Sequence, residues 1–175
     1  MLVNIGAKRS SDDLRELLLD CHKKIRTFAA LAVTLAERED VTPDEVREAC
    51  ERCARYFTEA LPLHVADEDE SIVPRMKDGT DATVREALLT MTDEHTRHRP
   101  MLSALLTALA AMRERGSTAE TRAALSEIAP AIQREFEAHL HREETVIFAA
   151  LPTALTAQAQ REIIAELRAR RAPRA

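Results

Sequence analysis

Short capping and turn sequences divide this chain into long segments that favour helix and little else. Residues 42–45 combine a threonine N-cap, a proline at the first helical position and a glutamate that completes a capping box. Residues 78–81 form a turn and a new N-cap, while Gly116 is a typical C-terminal stop before another capping box at 117–120. Only 3 of the 175 residues are glycine, so few other positions interrupt a helix. The sequence therefore predicts an all-α protein.

The periodic apolar residues between these turns place five helices. The predicted spans are about 10–39, 42–76, 81–115, 117–152 and 156–171. The first begins at Ser10, and Pro62 is predicted to kink or break the second. Because short turns join the first four helices, they are predicted to form an up-down-up-down four-helix bundle over about residues 10–152. The short fifth helix is an appendage, and residues 1–175 are predicted to form a single domain.

Charge and apolar patterning exclude several classes of protein. The net charge is −5, with 25 basic and 30 acidic residues interspersed, so no nucleic-acid partner is predicted. No apolar run approaches the roughly 18 residues that a membrane span needs, and the N-terminus lacks the apolar core of a signal peptide. Three cysteines without a disulfide framework fit a reducing compartment. A soluble cytoplasmic protein without a membrane partner is predicted, with a frayed basic tail at 168–174.

Two of the predicted helices carry the same string, a histidine followed four residues later by a glutamate. A four-residue step returns to the same face of a helix, so each string directs one imidazole and one carboxylate together. The first and third predicted helices each add a single histidine. The candidate metal ligands are His22, His64, Glu68, His95, His139 and Glu143.

The two strings are also alike beyond these residues. An acidic residue, Asp69 or Glu144, follows each glutamate, and an apolar pair begins three residues later. This likeness indicates a duplicated helix pair. Each of the four histidines lies roughly 12–14 residues from the same end of the predicted bundle, or about 18–21 Å at the helical rise. They are therefore predicted to converge in one layer.

Four imidazoles and two carboxylates are too many donors for one tetrahedral zinc ion. The mixture of nitrogen and oxygen donors suits iron or manganese. Two carboxylates can bridge two metal ions, with two histidines completing each ion and positions left open for small ligands. The pattern of residues therefore favours a two-metal site.

On these residues the chain resembles the hemerythrin-like, or HHE cation-binding, family over roughly residues 10–152. The resemblance implies two iron ions (Fe2+/Fe3+) bridged by Glu68 and Glu143 and by an oxide, hydroxide or water. It also implies that the four histidines are terminal ligands of those ions.

The chain departs from the oxygen-carrying members of that family at two positions. Those proteins have a second histidine four residues after the third-helix ligand, where this chain has Arg99, and His98 is one residue short. They also have an aspartate five residues after the last histidine, where Glu144 stands here. One fewer imidazole leaves more open coordination, which favours inner-sphere reaction over reversible oxygen carriage.

The predicted function is therefore a non-haem di-iron protein that binds, senses or reacts with O2, peroxide or nitric oxide. Peroxidase-like or nitric-oxide-reducing turnover uses the same site, so the sequence does not decide whether the chain is an enzyme. The alternative is iron storage or iron sensing, in which metal occupancy controls folding or the binding of a separate protein partner. A ferritin-like oxidase is disfavoured because its Glu-x-x-His spacing is absent from the ligand positions. The sequence does not determine the oligomeric state.

Several residues beside the ligands have a structural interpretation that competes with a functional one. Glu94 and Glu144 are candidates to accept the free N–H of ligand imidazoles. The other nearby acidic residues are expected to be solvated, namely Asp67, Asp69, Glu70 and Asp93. His98 lies about 300° around the helix from His95 and can flank the site, while His141 is expected at the surface.

Cys50 and Cys53 form a Cys-x-x-Cys motif without a preceding strand, so a thioredoxin-like site is not predicted. Core packing is the favoured interpretation, and a redox switch is the alternative. Cys21 is likewise expected to pack.

Overall fold

The computed structural model describes residues 12–173, and these residues form helices with no strand. We number the five helices in chain order. Their bounds are α1 Leu14–Glu37, α2 43–76, α3 Ala82–Arg115, α4 119–154 and α5 Ala157–Arg170. The all-α prediction is confirmed. The helix start predicted at Ser10 lies outside the described residues, and the single domain stays a prediction.

The helix boundaries follow the capping signals closely. At the start of α2 the Thr42 hydroxyl accepts from the Glu45 amide, and the Glu45 carboxylate accepts from the Thr42 amide. Gly116 ends α3 with φ +79°, a left-handed conformation that favours glycine. The next capping box differs from the prediction, because its reciprocal pair is Thr118 and Thr121.

Two of the long helices contain π-helical turns. In α2 these are Tyr56–Ala60 and Asp67–Ile72, and in α4 the turn is Glu143–Ile147. In α2 each π-helical turn ends two residues before a proline, which is Pro62 for the first turn and Pro74 for the second. A proline lacks an N–H and clashes with the carbonyl of the preceding turn, and a wider turn relieves this conflict. Of the kink or break predicted at Pro62, a break is not seen, since the helix continues through this residue after a π-helical turn.

The described core contains two apolar clusters separated by a polar layer. One cluster includes Ile25, Phe57, Leu109 and Ile132, and the other includes Leu18 with residues from every other helix. Along α1 and α3 the chain passes from the second cluster to the first, and along α2 and α4 it passes back. This alternation is what the predicted up-down-up-down order requires. All the candidate ligands lie in the layer between the clusters.

Helix α5 is held against α2 by ion pairs. Arg170 and Arg171 both contact the carboxylate of Asp67, which is fully buried. Glu166 accepts hydrogen bonds from the Ser71 hydroxyl and the Arg75 guanidinium. The predicted fraying of the basic tail is therefore wrong through residue 171, because Arg170 and Arg171 are held by the buried carboxylate of Asp67. Arg174 lies outside the described residues.

Between residues 12 and 173, no helix combines the length and the apolar character needed to cross a membrane.

Candidate metal centre

The structure brings all six predicted ligand residues together in the polar layer of the bundle. None of the six has more than 7% of its surface exposed. The histidines form two pairs with nearly perpendicular or steeply inclined rings. The rings of the first pair, His22 and His64, are 5.1 Å apart, and those of the second pair, His95 and His139, are 5.0 Å apart. Each pair combines the one candidate ligand of α1 or α3 with the histidine of a His-x-x-x-Glu string in α2 or α4.

Both carboxylates reach from one histidine pair to the other. Glu68 places Oε1 3.3 Å from His64 Nε2 and Oε2 3.3 Å from His95 Nε2. Glu143 places Oε2 3.1 Å from His22 Nε2 and Oε1 2.8 Å from Nε2 of the second histidine in the other pair. Each carboxylate therefore directs one oxygen to each pair of imidazoles.

These donor atoms also form two overlapping groups of a size that can hold an ion. The first group has His22, His64 and both glutamates, and the second has the other two histidines and Glu143. Within each group the donor atoms lie within 4.8 Å of one another. The shared Glu143 joins the two groups into one centre.

Within residues 12–173, most of the converging atoms lack a hydrogen-bond partner, although several N···O distances are short. Leaving buried polar atoms unpaired is costly. The unpaired buried atoms are His22 Nε2, His64 Nδ1 and Nε2, Glu68 Oε1 and Oε2, His95 Nε2, and Glu143 Oε1 and Oε2. Mixed nitrogen and oxygen donors of this kind fit iron or manganese.

The buried carboxylates strongly affect the protonation of two of the histidines. Burial alone lowers the pKa of His22, but Glu143 and Glu68 outweigh it and raise that pKa to about 10. Burial likewise lowers the pKa of His95, and Asp69 and Glu68 raise it to about 10. At neutral pH both imidazoles therefore hold protons that a bound cation must displace.

Two acidic residues hold ligand imidazoles from outside, as the sequence predicted. Glu144 Oε1 lies 2.9 Å from His22 Nδ1, and Glu94 Oε2 lies 2.8 Å from His139 Nδ1. A carboxylate at Nδ1 fixes the orientation of the ring and leaves Nε2 free to bind a metal ion.

A third supporting carboxylate was missed by the sequence analysis. Asp69 Oδ1 lies 3.0 Å from His95 Nδ1, so its expected solvated role is wrong. The signal was present in the sequence, because Asp69 follows Glu68 as Glu144 follows Glu143. In each half, the residue after the glutamate supports the histidine of a different helix.

Arginines hold two of these carboxylates in turn. Arg26 donates to Glu144 at 2.7 Å and also pairs with Glu137. Arg142 donates to both oxygens of Glu94, at 2.8 and 2.7 Å. The sequence analysis named neither arginine, since these contacts depend on long side chains crossing between helices.

His98 is buried, with 5% of its surface exposed, and it flanks the centre as its position on the helix allowed. Its ring lies 5.1 Å from that of His139 and 5.2 Å from that of Phe136. Burial, and then the nearby His139, lower the pKa of His98 to about 4, so its imidazole is neutral at pH 7. Arg99 is exposed and borders a surface groove with His95, while His141 is exposed as expected.

The cysteines of the Cys-x-x-Cys motif are buried in the first apolar cluster and are not bonded to each other. Cys53 donates from its thiol to the Phe28 carbonyl at 3.3 Å. Burial raises the pKa of Cys50 to about 11 and that of Cys53 to about 12. These thiols stay protonated at neutral pH, so packing explains them better than a redox switch.

The chain matches the model of a known family. The family model described as Hemerythrin HHE cation binding domain matches residues 13–151, and a second match covers 86–171. The first match contains all six converging residues. A comparison with curated proteins finds no significant match.

Proposed function

We propose that this chain, which belongs to the hemerythrin HHE cation-binding domain family, is a non-haem di-iron protein that binds, senses or reacts with O2, peroxide or nitric oxide. The observation that carries the proposal is the placement of Glu68 and Glu143, each with one oxygen toward each histidine pair. A cation-binding family and a cluster of histidines and glutamates support metal binding, and the pairing supports two ions.

A two-ion centre accounts for the donor atoms better than a single ion. Four imidazole nitrogens and four carboxylate oxygens converge, and most are buried without another partner in the described part of the chain. Two ions would give each ion two imidazoles and one oxygen from each glutamate. These four protein donors leave coordination positions for small ligands around iron.

Iron held there would supply a Lewis acid with exchangeable positions and accessible redox states. The residues of this chain supply the rest. Asp69, Glu94 and Glu144 orient three of the imidazoles, and the apolar clusters on both sides exclude bulk water. The small number of imidazoles favours a reactive or sensing centre over an oxygen carrier.

The proposal is tested with protein loaded anaerobically with Fe2+, exposed to air and then deoxygenated. We expect about two irons per chain and an absorption change in air that deoxygenation does not reverse. Sustained consumption of peroxide or nitric oxide with a reductant would identify an enzyme, and a single stoichiometric oxidation would identify a sensor. A chain that binds no iron would overturn the proposal.

Matched variants locate the metal within the bundle. Glu68→Gln and Glu143→Gln each remove one bridging carboxylate and should reduce bound iron below one per chain or abolish it. Glu127→Gln is the control, because Glu127 is an exposed residue of α4 that lies 12 residues before His139. Equal iron content in all three variants would exclude the assigned carboxylates.

Iron sensing through folding is a second candidate, and one observation favours it. The unpaired buried atoms of the centre destabilise the bundle unless a cation satisfies them. Metal occupancy would then order the protein and change what it binds. A gain in thermal stability on iron loading without any reaction with O2, peroxide or nitric oxide would favour this candidate.

A further inference from the structure

A cavity of about 30 Å3 lies against the centre on the side of the first apolar cluster. Its ligand-bearing wall is formed by three of the four candidate ligand histidines. The remaining lining residues are Ile25, Leu61, Val65, His98, Leu102, Phe136 and Leu140. A water molecule needs roughly 10–15 Å3 of such volume. The cavity therefore has room for a molecule of two or three heavy atoms and excludes organic substrates.

The lining residues correspond between the two halves of the molecule. Leu61 precedes His64 by three residues as Phe136 precedes His139, and Val65 follows His64 as Leu140 follows His139. The cavity thus lies where the duplicated helix pairs face each other, and these corresponding positions are apolar in both halves.

One pair breaks this correspondence. Ile25 follows His22 by three residues, and His98 follows His95 by three residues. Both side chains line the cavity, but only His98 can donate or accept a hydrogen bond. Among residues 12–173, His98 forms no hydrogen bond, although only 5% of its surface is exposed. Neither ring nitrogen of His98 is among the fully buried unpaired atoms, so a polar molecule can reach this imidazole, and the cavity that His98 lines has room for one.

We propose that this cavity receives the small ligand of the centre, and that His98 donates a hydrogen bond to it. The ligand class is a diatomic or peroxide-sized molecule with an oxygen or nitrogen acceptor. The proposal rests on the proposed di-iron function and adds a specificity-determining residue that the six-residue ligand set does not contain. His98 acts on the bound ligand and not as a ligand of the metal.

The competing explanation is that His98 only fills space between Phe136 and His139. Shape and hydrogen bonding are separated by two substitutions. His98→Ile gives the position the residue of the other half, which removes the hydrogen bond and keeps an apolar filling. His98→Gln removes the ring but keeps a donor. His141→Ile is the matched control, because it makes the same chemical change at an exposed position.

The probe is nitric oxide added to the anaerobic, Fe2+-loaded full chain. Iron content and thermal unfolding are measured first, followed by the nitric oxide dissociation rate and the infrared N–O stretching frequency. We expect His98→Ile to keep its iron, to release nitric oxide about tenfold faster and to shift the N–O stretch to higher frequency. His98→Gln should restore much of the lifetime, and His141→Ile should match the unsubstituted chain.

The outcome separates this proposal from the proposed function. If His98→Ile holds iron and nitric oxide with an unchanged lifetime and stretching frequency, His98 has no such role, while the di-iron function stands. If the unsubstituted chain binds no iron, both proposals fail together. A further measurement does not depend on any variant. Exchange into D2O should shift the N–O stretch of the unsubstituted protein, and the absence of a shift would overturn the hydrogen bond.

Discussion

The two halves of the centre carry the same ligands in different surroundings. In the half built by α3 and α4, the His139 ring is held at Nδ1 by Glu94, which Arg142 holds in turn. In the half built by α1 and α2, the corresponding His64 has no hydrogen-bond partner at Nδ1 within the described structure. Burial lowers the pKa of this imidazole. A charged network orients His139, whereas packing alone orients His64.

The sequence explains this difference at two positions. Cys21 stands before His22 where Glu94 stands before His95, so the first half lacks the carboxylate. Asp67 stands before Glu68 where Arg142 stands before Glu143, and Asp67 pairs with the arginines of α5. The comparison shows that the candidate ligands correspond between the two halves, while the residues that surround His64 and His139 differ. The ion pairs of Asp67 also connect the α1/α2 half to the C-terminal helix.

Iron loading should have the largest effect, because it acts on both halves at once. At free Fe2+ about 1,000-fold above its Kd, each site adds about 4 kcal/mol to the free energy of unfolding. The physical reason is that bound cations satisfy the unpaired buried atoms. Anaerobic thermal or urea unfolding with iron and with a chelator measures the gain. The Glu68→Gln/Glu143→Gln double variant should show none, and an unchanged stability of the parent chain would contradict the account.

Replacing Arg170 and Arg171 should lower the free energy of unfolding through Asp67, a residue of the α1/α2 half. The double substitution Arg170→Ala/Arg171→Ala leaves the Asp67 carboxylate buried without its ion pairs. Loss of such partners costs about 3 kcal/mol of unfolding free energy. Urea unfolding checks this value, with Arg161→Ala on the solvent side of α5 as the control. Equal stability of the two variants would mean that α5 contributes nothing through Asp67.

The affinity for Fe2+ should rise with pH, because protons on His22 and His95 compete with the metal. Nearby carboxylates outweigh the effect of burial and raise the pKa of both His22 and His95 to about 10. Since these raised values keep the imidazoles protonated below that pH, acid stabilises the protonated form and competes with the metal. One proton displaced at each of the two ions gives an affinity for each ion that increases up to about tenfold per pH unit near neutrality. Competition titrations between pH 6.5 and 8 would contradict this if the affinity stayed constant.

Substitutions at the corresponding positions 94 and 21 should have unequal effects. Glu94→Gln weakens the support of His139 and should lower the affinity for Fe2+ by about 10–100-fold. Cys21→Ala removes no hydrogen bond to a ligand and should change it by less than about twofold. Metal competition at fixed pH measures both values. An equal loss of affinity in both variants would show that positions 21 and 94 support the centre alike, which would contradict the difference between the halves.

The sequence predicted the fold because caps and periodicity act locally. Thr42, Glu45 and Gly116 determine helix ends through contacts within a few residues. The convergence of the histidines followed from helix length and the fixed rise per residue. The π-helical turn before Pro62 was not predicted, because it depends on how the backbone relieves a clash.

The surroundings of the centre were harder to predict. Asp69 was recoverable from the repeated string, but it was assigned to solvent. Arg26 and Arg142 act across helices through long flexible side chains, and their reach follows from packing rather than spacing. The burial of His98 depends on the rotation of α3 about its axis, which an angle of roughly 300° from His95 does not decide.

Anomalous X-ray scattering at the iron edge, from crystals of Fe2+-loaded protein, tests the central claim most directly. We expect two peaks per chain in the polar layer, one beside His22 and His64 and the other beside His95 and His139, with Glu68 and Glu143 contacting both. A single peak, or iron located away from these six residues, would contradict the account.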